Sequence, residues 1–384
     1  MALTFPTPND APTTGQSPIV TLPADRLYER YGRGGEVVSA EDPTQQREAQ
    51  RQADAELLAQ ARKNFQLADQ VESRMRAEMI EDKRFHAGKQ WPDDQVAIRT
   101  FDKRPVLTIN RLPMFVKLIT NPQRLSRPAI QVNPVGDGAD VETAEVLQGM
   151  IRHIENVSHA DVAYDEAYED AVVMGRGFYR ILTEYADPMS FDQDIVVKRI
   201  PNTFTVYMDP TCQELDYSDA RFAFIVEDLP KDEFVRLYGA ERARSLAFFD
   251  SVGDRSQDWF PEGKVRTAEY FYVEHQEVKI ALIPDPDPKD PTRTLTIPVA
   301  QLQGLDPQVI RVLKTRTSQQ RIVHWVKMTG YDILERRIWP GQWIPLVPVL
   351  GDEIDINGEK DLMGIVRHAR DPQRMYNYWT DLAL

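Results

Sequence analysis

Two groups of carboxylates lie close enough in the sequence to act together. Asp165, Glu166, Glu169 and Asp170 fall within one predicted helix, and Asp209, Glu214, Asp216 and Asp219 crowd the stretch MDPTCQELDYSD. Carboxylates four residues apart share a helix face and could hold a divalent cation, as metal-dependent cleavage of phosphate esters requires. A solvated acidic face and an Asp-rich turn give the same spacing with no chemistry attached. Neither group has a histidine beside it. His86, His153, His159, His275, His324 and His368 are scattered, and no two have ligand spacing. The non-catalytic reading is therefore preferred, with a metal-dependent nuclease or phosphohydrolase as the enzymatic alternative.

Other sources of chemistry are missing. The chain has no GxxxxGK[ST] phosphate loop, HExxH, GxSxG or paired CxxC. GRGFYR at 175–180 is too short for a dinucleotide fingerprint and reads as a helix stop followed by a strand. Between Arg293 and Pro340, eight Lys or Arg face three acids, interleaved with Trp325 and Trp339 and followed by Trp343. Within it, Arg311, Lys314, Arg316, Arg321, Arg336 and Arg337 are candidates for a basic patch that meets DNA or a charged partner, although solvated strand faces look alike. Arg124 and Arg127, set between Pro122 and Pro128, form a stiff basic corner behind a helix.

The elements that position these residues follow from periodicity. Residues 1–52 are rich in Pro, Thr, Asp, Gln and Gly and read as a disordered arm. From Ala53 to about Gln90 a helical pattern places Phe65, Ala68, Glu72, Met75 and Met79 on one stripe, ended at Gly88 and Pro92. Asn110 caps a helix with Pro113 in its first turn, after which SRPAIQVNPV reads as a strand. Helices over DVETAEVLQGMIRHIENV and ADVAYDEAYEDAVVMG follow, the second closed by Gly175. FYRILTEY, DIVVKRI, FTVYMD and RFAFIVED alternate as short strands; KDEFVRLYG and ERARSLAFF are helical. Strands resume from Lys264 to about Val349, broken by the proline-spaced loop IPDPDPKDPTRT. DPQRMYNYWTDLAL starts a helix with Asp371 as cap and Pro372 as first residue, and stops so soon that the chain reads as truncated. The fold class is α+β.

The bulk numbers narrow the functions further. The 384-residue chain carries a formal charge of -14, so as a whole it repels phosphates. A single cysteine, Cys212, excludes an intrachain disulfide framework. No signal peptide and no apolar run of about 20 residues is present, so no membrane role is expected.

Several long blocks, in order, resemble the portal, or connector, proteins of short-tailed bacteriophages. They are FHAGKQWPDDQ, RPVLTINRLPMFVKLITNPQRLSRPAIQVNPV, DVETAEVLQGMIRHIENVSHADVAYDEAYEDAVVMGRGFYRI, VYMDPTCQELDYSDARFAF and GIVRHARDPQRMYNYW. The resemblance runs from about residue 60 to the end and concerns structural residues. Members of this branch continue well beyond NYW. It implies a portal fold: a wing and hip region over 53–263, a clip-like strand-rich region over 264–350, and the start of a stem or core helix over 351–384. It implies a homo-oligomeric ring, a dodecamer, at one capsid vertex of the virion, assembled in the host cytoplasm, with no catalytic role and no cofactor or metal. Double-stranded DNA would pass through non-specifically, with the terminase large subunit, a tail adaptor, and capsid and scaffolding proteins as partners. An acidic bore would let phosphates slide. Within that picture Arg124 and Arg127, with Asp165, Glu166 and Glu169, are candidates for an ion-pairing corner between packed elements or neighbouring subunits. A prophage remnant that no longer assembles is the remaining alternative.

Overall fold

The computed structural model describes residues 43–127, 129–135, 141–240, 242, 264–284, 294–302 and 312–382. Residues 54–384 make one compact unit and residues 1–53 another. Arg293 and Arg311, most of the expected N-terminal arm, of ERARSLAFF and of the proline-spaced loop lie outside the described residues.

In chain order, helices α1 (Pro43–His86), α2 (Asp93–Phe101), α3 (Leu112–Leu125), α4 (Val141–Val157) and α5 (Ala160–Met174) precede strands β1 (Arg176–Tyr185), β2 (Gln193–Arg199), β3 (Val206–Met208) and β4 (Phe222–Pro230). Helix α6 (Lys231–Tyr238) leads to β5 (Lys264–Pro284) and β6 (Thr294–Pro298), and the one-turn helix α7 (Val299–Leu302) to β7 (Lys314–Thr329), β8 (Ile333–Trp339), β9 (Leu346–Leu350), β10 (Asp352–Ile356) and β11 (Glu359–Met363). Helix α8 (Ile365–Leu382) comes last. All described strand pairings are antiparallel. One sheet runs β3-β4-β5-β7-β8 with β6 on the outer part of β5; the others are β2-β1-β9 and β10-β11. The α+β class is thus observed.

Helix α1 ties two cores together. Ala61, Phe65 and Ala68 pack on Phe224, Tyr270, Val326 and Met328 of the large sheet, while Met79 and Phe85 join Leu112, Val116, Met174 and Val366 among the helices. At 1.5 Å per residue, Ala61 and Phe85 are about 36 Å apart, so a single rigid rod serves both. The period of two along β5 and β7 sends Tyr270 and Val326 to α1 but Phe271 and Val323 to the opposite face, against Phe178 of β1 and Leu346 of β9. Beyond this core the β5–β7 ladder continues, from Thr267 opposite Thr329 to Leu282 opposite Lys314. Residues 274–277 and 319–320 are exposed, and burial returns only at Ala281 and Ile283, near β6.

Several sequence expectations need correction. The described residues of SRPAIQVNPV form no strand: Ile130 and Val135 are exposed and no ladder partner faces them. Pro122 sits inside α3 and not at its end, and α3 runs on through Arg124. Helix α8 begins at Ile365, so Pro372 lies in its interior and Asp371 is an exposed side chain there rather than a cap. The absent proline N–H removes one helical bond, which packing against α1 offsets. Helix α2, with Asp93 and Asp94 in its first turn, was not anticipated. Helix α1 starts at Pro43, ahead of the expected Ala53.

Candidate assembly interface

The basic corner closes on the acidic helix of its own chain. Arg124, in the last turn of α3, reaches Glu169 at 2.8 Å and Asp165 at 3.5 Å. Arg127 reaches Asp165 at 2.9 Å and Asp161 at 3.1 Å. Asp161, Asp165 and Glu169 recur every four residues along α5, so one face of that helix meets both guanidinium groups. The Arg127 hydrogen bond holds the Asp161 carboxyl below the usual carboxylate range. Of the five corner residues singled out in the sequence, four come together; Glu166 turns to Arg199 on β2, at 3.1 Å. Asp161 was missed, though its position one turn before Asp165 was readable. Beside the corner, α1, α3 and α5 line an open pocket of about 420 Å³ bordered by Lys83, His86, Arg124, Asp165, Glu169 and Val173. Burial lowers the His86 pKa from the ordinary histidine value.

Of the carboxylates raised as a possible cation site, all but Glu214 are engaged by protein donors. Asp170 accepts from Thr203 Oγ1 at 2.7 Å and Lys83 Nζ at 3.0 Å. Buried Asp209 accepts from the Thr211 hydroxyl at 2.7 Å and Arg221 Nε at 2.9 Å. Asp216 and Asp219 accept backbone N–H groups of Ser218 and Gln213. The Asp216 bond is of the Asx-turn type, and Asp219 reaches back six residues to close the loop. Among the described residues, no group of three or more His, Cys, Asp or Glu side chains is placed to hold a metal ion. GRGFYR is explained by close packing: a Cβ on Gly177 would collide with the Ala167 carbonyl, and Gly175 takes a φ of +97° where α5 ends.

The basic segment is drawn out along a strand and does not form one patch. Lys314 and Arg316 stand at the outer end of β7, opposite Leu282 and Ile280, whereas Arg337 lies opposite Trp325, about 36 Å further along the ladder. Arg321 is folded inward: it donates to the backbone carbonyls of Ser218 and Ala220, the latter at 2.6 Å, and lies over the Trp343 ring. Arg336 pairs with Asp54, and Arg337 pairs with Glu335 at 3.2 Å while covering Trp325.

Two buried ionic clusters were not foreseen. Arg176, fully buried at the start of β1, donates to Glu72 of α1, which also receives Arg76. Between α1 and α8, buried Asp82 binds Arg367 at 2.8 Å and Arg370 at 2.7 Å, and at the cluster's solvent-exposed edge Glu81 binds Arg374 at 2.8 Å. Their partners are some 100 to 290 residues away in the chain, a separation that no local pattern can announce.

A family model for the phage P22-like portal protein matches residues 62–384. The chain belongs to the P22-like portal family. The matched region opens at Arg62, which donates from α1 to the Gly330 carbonyl at 2.8 Å, and it takes in the corner, the basic strand and both buried clusters. The portal protein of Acyrthosiphon pisum secondary endosymbiont phage 1 is 27% identical over 334 residues, an alignment covering 83% of this chain and 46% of that relative. The chain therefore spans about half the length of the curated portal protein it matches. No described helix is long and apolar enough to cross a membrane.

Proposed function

We propose that the chain is a structural subunit of a portal ring: copies of it assemble, as a dodecamer, at one capsid vertex, around a channel for DNA packaging and ejection. The observation that carries this reading is the family match over 62–384. The charge of -14 per chain supports it, because an electronegative bore lets phosphates pass without sticking. The ladder beyond residue 274, with exposed Lys314 and Arg316 near its end, suits the clip at which the terminase large subunit and a tail adaptor dock. The helices over 60–175 suit the wing that meets capsid and scaffolding proteins. On this reading the protein performs no chemistry, and it resides in the virion after assembly in the host cytoplasm.

Light scattering followed by negative-stain microscopy of the purified chain tests it. A ring of about a dozen subunits with a central hole is the expected result. Persistent monomers, both of this chain and of one extended to the relative's full length, would overturn the reading.

A further inference from the structure

The turn between β1 and β2 is built to present two large apolar side chains. Met189 and Phe191 are 93% and 95% exposed, yet the turn that carries them is closed by its own bonds. Ala186 N–H donates to the Asp192 carbonyl at 2.9 Å, Met189 N–H to Asp187 Oδ1 at 2.8 Å, and Asp192 N–H to Ser190 Oγ at 3.0 Å. A tip already ordered in the free chain loses little conformational entropy on binding. Its charge is of one sign: residues 184–194 hold Glu184, Asp187, Asp192 and Asp194 and no base, and only Glu184 is met by a lysine, Lys198.

The opposite character is found on α3. Met114, Lys117 and Leu118 lie on one side of this helix with Phe115 next to them; Leu118 is 70% exposed and Met114 60%. Residues 103–127 contain six bases and no acid, in a chain whose net charge is -14. Arg124 and Arg127 are paired with carboxylates of α5 and Arg111 donates to the Tyr376 hydroxyl, while Lys117 stands exposed within the apolar face with no carboxylate partner among the described residues.

Helix α5 separates the two features. It packs on the β1–β2 side through Ala160 and Ala163, with the Ala167 carbonyl against Gly177, and on α3 through Asp161, Asp165 and Glu169. At 100° per residue these sets point about 165° apart. The β1–β2 pair and the basic face thus lie on opposite sides of one helix, and among the described residues no hydrogen bond or ion pair joins the tip to α3 within the chain. Two different, complementary patches on opposite sides of a subunit are what a head-to-tail contact between identical chains requires.

We propose that the β1–β2 tip of one copy docks on the exposed face of α3 in the next, with Phe191 and Met189 set against Met114, Phe115 and Leu118 and the tip carboxylates facing Lys117. This inference deepens the ring reading and rests on it for the identity of the partner, a second copy of the chain.

Cysteine pairing tests the contact. Phe191→Cys and Leu118→Cys chains, prepared separately and mixed under mild oxidation, are expected to give a disulfide-linked dimer that neither forms alone. Both positions are exposed, so the fold is retained, and Cys212 stays silent because burial raises its thiol pKa. Phe191→Cys with Met375→Cys, on the exposed apolar stripe of α8, is the control pair. Lys117→Glu in the Leu118→Cys chain should reduce the cross-link about tenfold, and Asp194→Lys in the Phe191→Cys chain should restore it. Rings without a cross-link above the control pair would overturn this contact and leave the portal reading standing. A cross-link without rings would establish the contact and count against ring closure by this chain, and the absence of both, in this chain and in one extended to the relative's full length, would remove both.

Discussion

Arg176 at the start of β1 donates through both terminal guanidinium nitrogens to the carboxylate of Glu72 on α1, at 3.0 and 2.9 Å, across 104 residues of sequence. Arg176 is 1% exposed and Glu72 6%. Arg76, one turn along α1, donates to the same carboxylate at 3.0 Å and to the Val206 carbonyl at 2.9 Å. The helix rod, the start of β1 and the start of β3 thereby share one buried ionic centre, between the two apolar cores that α1 connects.

Removing one partner leaves a buried charge without compensation. Arg176→Met is expected to lower stability by about 3–5 kcal/mol, read from urea unfolding, and Glu72→Gln by a similar amount. Replacing both by apolar residues of matched volume should cost less than the sum of the two single changes. Strict additivity would mean that the pair is not coupled.

Gly177→Ala is expected to destabilise by at least about 1–3 kcal/mol, because the new methyl meets a backbone carbonyl, Ala167, that a rotamer change cannot move. Gly149→Ala is the control: an added Cβ there meets nothing within 4 Å, in a helix interior that favours alanine. Thermal melts of the two variants should move in opposite directions. A Gly177→Ala melt equal to the parent's would show that α5 and β1 are not in close contact.

Arg127→Glu sits at a solvent-exposed ion pair, so the fold should survive with a small fall in melting temperature that shrinks further in high salt. Because both arginines already pair within the chain, any defect of this variant in ring assembly would act by freeing the acidic face of α5. A variant that unfolds would place the corner among the structural necessities.

Acid sensitivity should come in two steps. Burial lowers the pKa of His86 and of His324, which is stacked on Tyr272 at 4.7 Å, so the unfolded chain binds protons at these positions more readily than the folded one. Their contribution is complete above the ordinary histidine pKa of about 6.5 and declines as pH falls below it. Asp161 and Asp228 are shifted the same way by Arg127 and Arg266, and their contribution disappears only below about pH 4. Urea midpoints between pH 8 and 5 should fall, and His86→Gln with His324→Gln should flatten that slope. An unchanged slope in the double variant would assign the first step to other groups.

The sequence by itself determined the local elements whose period and punctuation are strong. The Phe65 to Met79 stripe, the alternation in FYRILTEY and RFAFIVED, the Gly175 stop and the family blocks could all be read in advance, because each depends on residues within a few positions of one another. Asn110 is an example at one residue: its side-chain oxygen accepts the Leu112 N–H as its type foretold, although the N-cap position itself falls to Arg111. SRPAIQVNPV failed for the complementary reason. Proline sets backbone angles, but a strand also needs a partner, and none pairs with it among the described residues.

Only the tertiary structure decided where the charges went. The same residue type serves as a buried tie at Arg176, as an inward brace at Arg321, and as the surface half of a corner at Arg127. The acids Glu72, Asp82 and Asp165 look alike in the chain, yet each found its cation on an element remote in sequence. Helix periodicity announces that a face is polar, whereas the cost of burying a charge is met or not met by a group that arrives from elsewhere. For that reason the helices and strands were legible in one dimension, and the ionic centre, the corner's intrachain partners and the opposed faces of α5 were not.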